Sequence, residues 1–196
     1  MKLRIYLADL THTGVGIATE AFPLNIGLVG SYCLKKFKSE VEIKLFKFPE
    51  DLEQAIDAAP PDAFLFTTYV WTHNLPITFA KKIKEKYPKT LIVGGGPNFS
   101  KDMGQQKIFL QANPWLDFFI AYEGEAPICH LIKNYLDLGR NISKLKEIDL
   151  PSTFSILKDG SMKTGTLAPR TGMRKKKDQL HFEKYEAFNF FSNLDE

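Results

Sequence analysis

Apolar and polar positions along this chain alternate between two textures: short apolar runs, and longer stretches with helical spacing. Leu3-Arg4-Ile5-Tyr6-Leu7-Ala8 predicts a first strand. Residues 24–37 follow Pro23 with helical spacing and end in Lys35 and Lys36, cations that suit a helix C-terminus. Residues 41–48 alternate as an edge strand does, and Pro49 then opens a short helix over 50–59. Ala63-Phe64-Leu65-Phe66-Thr67 is a third strand. Ile77, Ala80, Ile83 and Tyr87 share one face of the next helix, which Pro88 ends. Leu91-Ile92-Val93 starts a fourth strand with no alternation, the mark of burial on both faces. Ile108, Phe109 and Ala112 mark a shorter helix, and Asp117 to Tyr122 a fifth strand. The next helix has Pro127 in its first turn, apolar Ile128, Leu131, Ile132, Tyr135 and Leu136, and a stop at Gly139.

Strand–helix alternation of this kind implies an α/β fold, a parallel sheet wrapped by helices on both faces. Five strands joined by right-handed crossovers suggest the flavodoxin-like (Rossmann-like) order 2-1-3-4-5, with the alternating second strand at the edge. After Gly139 the pattern changes. Residues 155–162 read as a hairpin about Asp159-Gly160. Residues 169–180 are polar and basic, as a linker is, and an aromatic-rich stretch follows with Tyr185, Phe188, Phe190 and Phe191. The expected division is a domain over 1–140, a hairpin extension over 141–168 and a linker over 169–196.

Composition changes this picture little. A chain of 196 residues with 44% hydrophobic and 25% charged residues is an ordinary globular protein. The net charge of +3 is too small to argue for nucleic acid, and the excess concentrates in Arg170 and Arg174 to Lys177. No apolar run is long enough to span a bilayer, and no signal-peptide pattern opens the chain, so the expected location is the cytoplasm with no membrane partner. Cys33 and Cys129 both sit in apolar helical patterns and form no C-x-x-C, which predicts buried free thiols rather than a metal site.

Candidate chemistry collects where the strands end. In open α/β sheets ligands bind at the carboxyl ends of the strands. The fourth strand runs into Gly94-Gly95-Gly96-Pro97-Asn98. Glycines there serve a tight turn or let backbone approach a ligand. The first strand is followed by Asp9-Leu10-Thr11-His12-Thr13-Gly14-Val15-Gly16, and the helix waits until Pro23. Typical βα loops hold about 2–6 residues, so this one has room to line a large ligand. His12 in it is a surface residue or a ligand. After the third strand come Thr67, Thr68, Tyr69, Val70 and Trp71, whose hydroxyls and flat rings suit a heterocycle. The same segment also reads as core aromatics with Thr72 or Asn74 capping the next helix. After the fifth strand come Tyr122, Glu123, Gly124 and Glu125, two carboxylates that the positive end of a helix alone explains.

Several chemistries are excluded. Gly14-Val15-Gly16-Ile17-Ala18-Thr19 lacks the third glycine of a dinucleotide fingerprint, and no phosphate-binding G-x-x-x-x-G-K-[ST] exists. Thr67 stands where a phosphoacceptor receiver has an aspartate, and no nucleophile elbow is found. One rival remains: Thr11-His12-Thr13-Gly14 resembles the flavodoxin loop T-x-T-G-x-T that holds the phosphate of FMN, which would make this an electron-transfer domain.

Four segments together resemble the N-terminal cobalamin-binding domain of cobalamin-dependent radical SAM proteins over about residues 3–136. They are Asp9 to Gly14 with Phe22 to Gly27; Thr67-Thr68-Tyr69-Val70-Trp71, similar to S-x-Y-x-W; Gly95-Gly96-Pro97-Asn98-Phe99-Ser100, similar to G-G-P-E-x-S; and Glu123-Gly124-Glu125, similar to G-E-G-E. The resemblance implies cobalamin as cofactor. Its binding set would be Thr11, His12, Thr13, Gly14, Leu24, Thr67, Thr68, Tyr69, Val70, Trp71, Gly94, Gly95, Gly96, Pro97, Asn98, Tyr122, Glu123, Gly124 and Glu125. The dimethylbenzimidazole tail would lie between the sheet edge and the first helix, near Thr67, with Tyr69 and Trp71 facing the corrin. In methionine-synthase-type domains D-x-H-x-x-G supplies a histidine to cobalt. Here Thr11 occupies that position and His12 is one residue off, so the resemblance implies no protein metal ligand. The C-x-x-x-C-x-x-C motif for a 4Fe-4S cluster is missing from this sequence. The expectation is therefore a module that is not catalytic alone, acting with a radical SAM domain, in cis or in trans, that carries the cluster and S-adenosylmethionine. A cofactor-free interaction domain is the third reading.

Overall fold

A computed structural model describes residues 2–13 and 23–168. Gly14 and the expected linker over 169–196 lie outside them. The chain alternates β1 (Leu3–Ala8), α1 (Leu24–Phe37), a short 3-10 turn, β2 (Val41–Phe46), α2 (Pro49–Ala58), β3 (Ala63–Thr67), α3 (Asn74–Lys86), β4 (Leu91–Gly95), α4 (Met103–Ala112), β5 (Phe118–Ile120) and α5 (Glu125–Asp137). The last of the described elements are α6 (Ile142–Glu147), β6 (Thr153–Ile156) and β7 (Met162–Thr164).

The seven described strands form one sheet in the order β2-β1-β3-β4-β5-β6-β7. The first five are parallel in the predicted order, and β6 pairs antiparallel with β5 through Phe119↔Phe154. The hairpin thus continues the sheet. Its turn closes at Gly160, where φ is +79, with Leu157 N–H donating to Ser161 O.

Because side chains alternate along a strand, each strand feeds two cores. Leu3, Ile5 and Leu7 of β1 meet Ile26, Val29 and Cys33 of α1 and Ile128 and Leu131 of α5. Tyr6 and Ala8 face the other way, towards Leu52 of α2, Ile83 of α3 and Leu110 of α4. Each such fully buried aliphatic or aromatic side chain contributes about 1.5–3 kcal/mol of transfer free energy. Cys33 and Cys129 are buried free thiols, as expected, with sulfurs 3.3 Å apart across the α1–α5 contact.

Four details depart from the sequence expectation. The β5 ladder is shorter than 117–122: the Asp117 carboxylate accepts from Ile92 N–H at 2.8 Å, and Tyr122 turns to φ +66. Helix α4 starts earlier than its apolar residues suggest, because Asp102 caps it by accepting from Gln105 N–H at 2.8 Å. Ile108 is then left 59% exposed while Gln106 and Leu110 turn inward. Helix α6 was not predicted; Asn141 caps it and Leu145 anchors it in the core. Neither Thr72 nor Asn74 caps α3, whose N-cap position is His73 with no side-chain cap bond.

Candidate functional site

The carboxyl ends of β1, β3, β4 and β5 open on a cavity of about 850 Å³, near the upper end for small-molecule sites. Its shape follows from the backbone of β4. Val93 and Gly95 point to the α1–α5 side, and Gly94 to the other. A Cβ on Gly94 would press on the Phe119 ring at 3.0 Å. On Gly95 it would meet only backbone atoms at 3.7 Å and beyond, so any side chain there would grow into the cavity. Gly96 has φ +104, and a Cβ on it would lie 2.6 Å from Thr68 O. The fold therefore needs glycine at Gly94 for close packing and at Gly96 for backbone conformation, whereas at Gly95 the missing side chain leaves open space. Thr68 holds the turn in place: both its N–H (2.9 Å) and its hydroxyl (3.1 Å) donate to Gly95 O.

One side of the cavity is a slot between the sheet and two helices. Leu7, Leu65 and Val93 form its sheet wall, and Ile26, Val29 and Ile128 its helix wall. Polar groups gather at the mouth. The Asn25 amide donates to the Tyr69 hydroxyl, which also bonds Thr67. Burial, and then the Asp9 charge, push the Tyr69 hydroxyl above its usual pKa. Asp9 itself, at the end of β1, is pushed to about 6 by burial, with Lys47 pulling the other way. Glu125, in the first turn of α5, is raised mainly by burial and further by the Glu123 charge.

Of the predicted site residues, Thr67, Tyr69, Gly94, Gly95, Gly96 and Pro97 line the cavity, as do Tyr122, Glu123, Gly124 and Glu125. Thr11, His12, Thr13, Leu24, Thr68, Val70, Trp71 and Asn98 do not line it, although several connect its loops. Trp71 stacks on Tyr69 with ring centroids 5.0 Å apart and planes within 8°. Trp71 is 73% exposed and Val70 76%, so this segment does not fill the core. His12 Nε2 lies 3.2 Å from Trp71 O, and since a carbonyl only accepts, that nitrogen donates. The Asn98 amide donates to His73 Nδ1 at 2.8 Å, tying the β3 and β4 loops together. Thr13 donates its hydroxyl to the Glu50 carboxylate at 2.6 Å.

Sequence reasoning expected a ligand between the sheet edge and the first helix but did not name the walls of the slot. Leu7, Leu65, Val93, Ile26, Val29 and Ile128 read as ordinary core. The available signal was Gly95, two residues beyond Val93 on the same face of β4. Asn25 was legible within the resemblance but was not assigned to the site. Among the described residues, no cluster of three or more His, Cys, Asp or Glu could hold a metal ion. No helix among them is long and apolar enough to cross a membrane.

No protein-family model matches the chain. Two curated proteins do. The chain is 32% identical over 84 residues (43% of this chain, 12% of that protein) to the cobalamin-dependent radical SAM methyltransferase TokK of Streptomyces tokunonensis. It is 30% identical over 80 residues (41% and 11%) to the 2-(S-pantetheinyl)-carbapenam-3-carboxylate methyltransferase of Streptantibioticus cattleyicolor. The matches therefore span only about an eighth of the length of these relatives. Among solved structures, the cobalamin-dependent S-adenosylmethionine radical enzyme OxsB, with aqua-cobalamin and S-adenosylmethionine bound, matches with a TM-score of 0.66 at 15% identity. That match covers 95% of this chain and 25% of OxsB. The apo form of OxsB matches with a TM-score of 0.57 over 89% of this chain. In sequence over about two fifths of its length, and in fold over nearly all of it, the chain resembles the cobalamin-dependent radical SAM enzymes.

Proposed function

We propose that this chain is the cobalamin-binding module of a radical SAM, methyltransferase-type enzyme. The observation that carries the reading is the slot beside Gly95, an apolar cleft at the carboxyl edge of the sheet whose polar groups, among the described residues, stand at its mouth. Such a cleft fits the tail of a corrinoid, and the stack of half-buried Tyr69 on exposed Trp71 offers a flat surface for the corrin. On this reading Thr11, His12, Thr13 and Leu24 hold the cofactor's rim from the β1 side, and Val70 and Asn98 from the β3 and β4 loops, although none of them lines the cavity itself. The corrin's cobalt supplies methyl-carrying or electron-carrying chemistry when bound.

The binding uses no histidine ligand from below. Thr11 occupies the motif position, and the His12 Nε2 is already committed to Trp71 O. The iron–sulfur cluster and S-adenosylmethionine belong to a radical SAM domain acting in cis or in trans, and the module is non-catalytic without it. Residues 1–140 form the binding domain, 141–168 the hairpin that extends its sheet, and 169–196 the connection towards the catalytic domain.

The flavin alternative is disfavoured at its own key position. A phosphate loop aims hydroxyls and N–H groups at an anion, yet the Thr13 hydroxyl is donated to the Glu50 carboxylate. A visible-spectrum titration with hydroxocobalamin and methylcobalamin, with FMN alongside, tests the reading. Saturable cobalamin binding with a shift to the base-off form is expected, and no flavin binding. Cobalamin that fails to bind overturns the reading in favour of a cofactor-free interaction domain; bound FMN overturns it in favour of electron transfer.

A further inference from the structure

The chemistry of the slot walls says more than that a tail fits. Strands β1, β3 and β4 run towards the cavity, and α1 and α5 start beside it. Positions further back along the strands and further on along the helices are therefore deeper. At the mouth stand Thr67 at the end of β3, Tyr69 just beyond it, and Asn25 and Glu125 in the first turns of α1 and α5. Deeper stand Leu65, two residues back from Thr67; Val93, two back from Gly95; Leu7, one before the end of β1; and Ile26, Val29 and Ile128 on the helices. Among the described residues, the deep part of the slot offers hydrocarbon alone. The next layer behind it holds the paired thiols of Cys33 and Cys129, which are weak hydrogen-bonding groups.

We infer that this slot selects the lower base of the corrinoid, taking an apolar benzimidazole and rejecting a purine. The inference rests on the reading proposed above. Either base hangs from its ribose through a nitrogen of its five-membered ring. The second nitrogen of that ring lies near the linkage, where the Thr67 and Tyr69 hydroxyls and the Asn25 amide can partner it. The two bases differ in the six-membered ring, which goes deepest. In dimethylbenzimidazole that ring is carbon with two methyl groups, matched to Leu65, Val93 and Ile128. In adenine it carries two ring nitrogens and an exocyclic amine. Buried there, these groups would lose water and gain no partner, and each such loss costs roughly tenfold or more in affinity. Discrimination of this kind is strong because it rests on stranded polar atoms and not on a difference of shape.

The test compares three corrinoids on the full chain by equilibrium titration: cobalamin, its analogue with an adenine lower base, and cobinamide, which has no lower base. Cobalamin is expected to bind at least tenfold more tightly than the other two. Equal affinity for cobalamin and the adenine analogue overturns the selectivity while leaving the cobalamin reading standing. Cobinamide binding as tightly as cobalamin overturns the seating of the base in the slot. Failure of all three to bind overturns both this inference and the proposed function. Val29→Phe locates the effect by filling the slot from α1. It should bring cobalamin down to the affinity of cobinamide and leave cobinamide unchanged. An equal loss for both ligands places the base elsewhere and overturns the inference.

Discussion

The two ends of this sheet are built from the same strands, yet they spend their polar groups differently. At the amino end the entrances of β1, β3, β4 and β5 are tied down. Asp62 accepts from Arg4 N–H at 2.8 Å and from the Arg140 guanidinium at 3.1 Å. Asp117 accepts from the Lys84 ammonium at 2.7 Å and from Ile92 N–H at 2.8 Å. Thr90 donates to Pro61 O at 2.9 Å, and Lys84 also reaches Thr90 O. At the carboxyl end the strands stop in glycine, positive φ and half-buried carboxyls around an open cavity. Burial without full compensation is a cost that a folded protein keeps where it serves a ligand. The contrast separates the residues that stabilise the fold from those that leave space.

Substitution at Gly95 should break the open end most completely. Gly95→Leu sends a side chain into the slot, where the nearest atoms to its Cβ are backbone at 3.7 Å. Saturable cobalamin binding should disappear, while thermal stability changes by less than about 1 kcal/mol because no core contact is displaced. Titration and a melting curve on the same sample check both halves. A variant that binds as wild type would show that the ligand does not use this slot.

Asp117→Ala tests the closed end. It strands the Lys84 ammonium in a largely buried position and removes the acceptor for Ile92 N–H. Breaking a buried ion pair from one side costs about 3–5 kcal/mol. For a chain of this size that lowers Tm by roughly 6–20 °C. Cobalamin affinity, measured below the new Tm, should be unchanged, since Asp117 lies at the opposite end of the sheet.

Asp9 gives the open end a pH signature. Its folded pKa, about 6, lies above the ordinary carboxylate value because burial disfavours the charge. The folded state therefore holds the proton more tightly than the unfolded chain. Asp9's contribution to stability is complete below about pH 4 and is lost as pH rises through about 6. After discounting for partial exposure the loss amounts to about 2 kcal/mol. Asp9→Asn should flatten that part of the stability–pH curve and leave the variant more stable than wild type at pH 7. Chemical denaturation at pH 4 and pH 7 checks it; parallel curves for the two proteins would contradict the burial of Asp9.

The same contrast explains what could be read from the sequence. The five parallel strands and the helices between them were legible because each apolar run is bounded by Pro, Gly or a charge. The closed end left little local signal: Asp117 read as a strand residue, and only its bond to Ile92 N–H shows why β5 begins after it. Helix α6 was missed although Asn141 is a good cap, because six residues give too short a period to stand out. At the open end the glycines, Tyr69 and Glu125 were legible by residue type. The slot walls were not, since Leu65 and Val93 have the sequence texture of core and become a binding surface only through the missing side chain at Gly95.

The smallest expected effect concerns His12. In sequence it stands one position beyond the place that a ligating histidine takes in D-x-H-x-x-G, and in the fold its Nε2 donates to Trp71 O at 3.2 Å. That bond joins the β1 loop to the β3 loop at a partly exposed site, where a hydrogen bond contributes about 0.5–1.5 kcal/mol. His12→Ala should therefore weaken cobalamin binding by no more than about tenfold, through a looser Trp71. On the reading proposed above, in which no histidine of this chain binds cobalt, the visible spectrum of bound cobalamin should stay the same. A changed axial-ligand signature in the variant would make His12 a cobalt ligand and undo the assignment of its Nε2 to the loop. An unchanged spectrum with modestly weaker binding would place His12 among the residues that hold the open end in shape, the counterpart of Asp62 and Asp117 at the closed one.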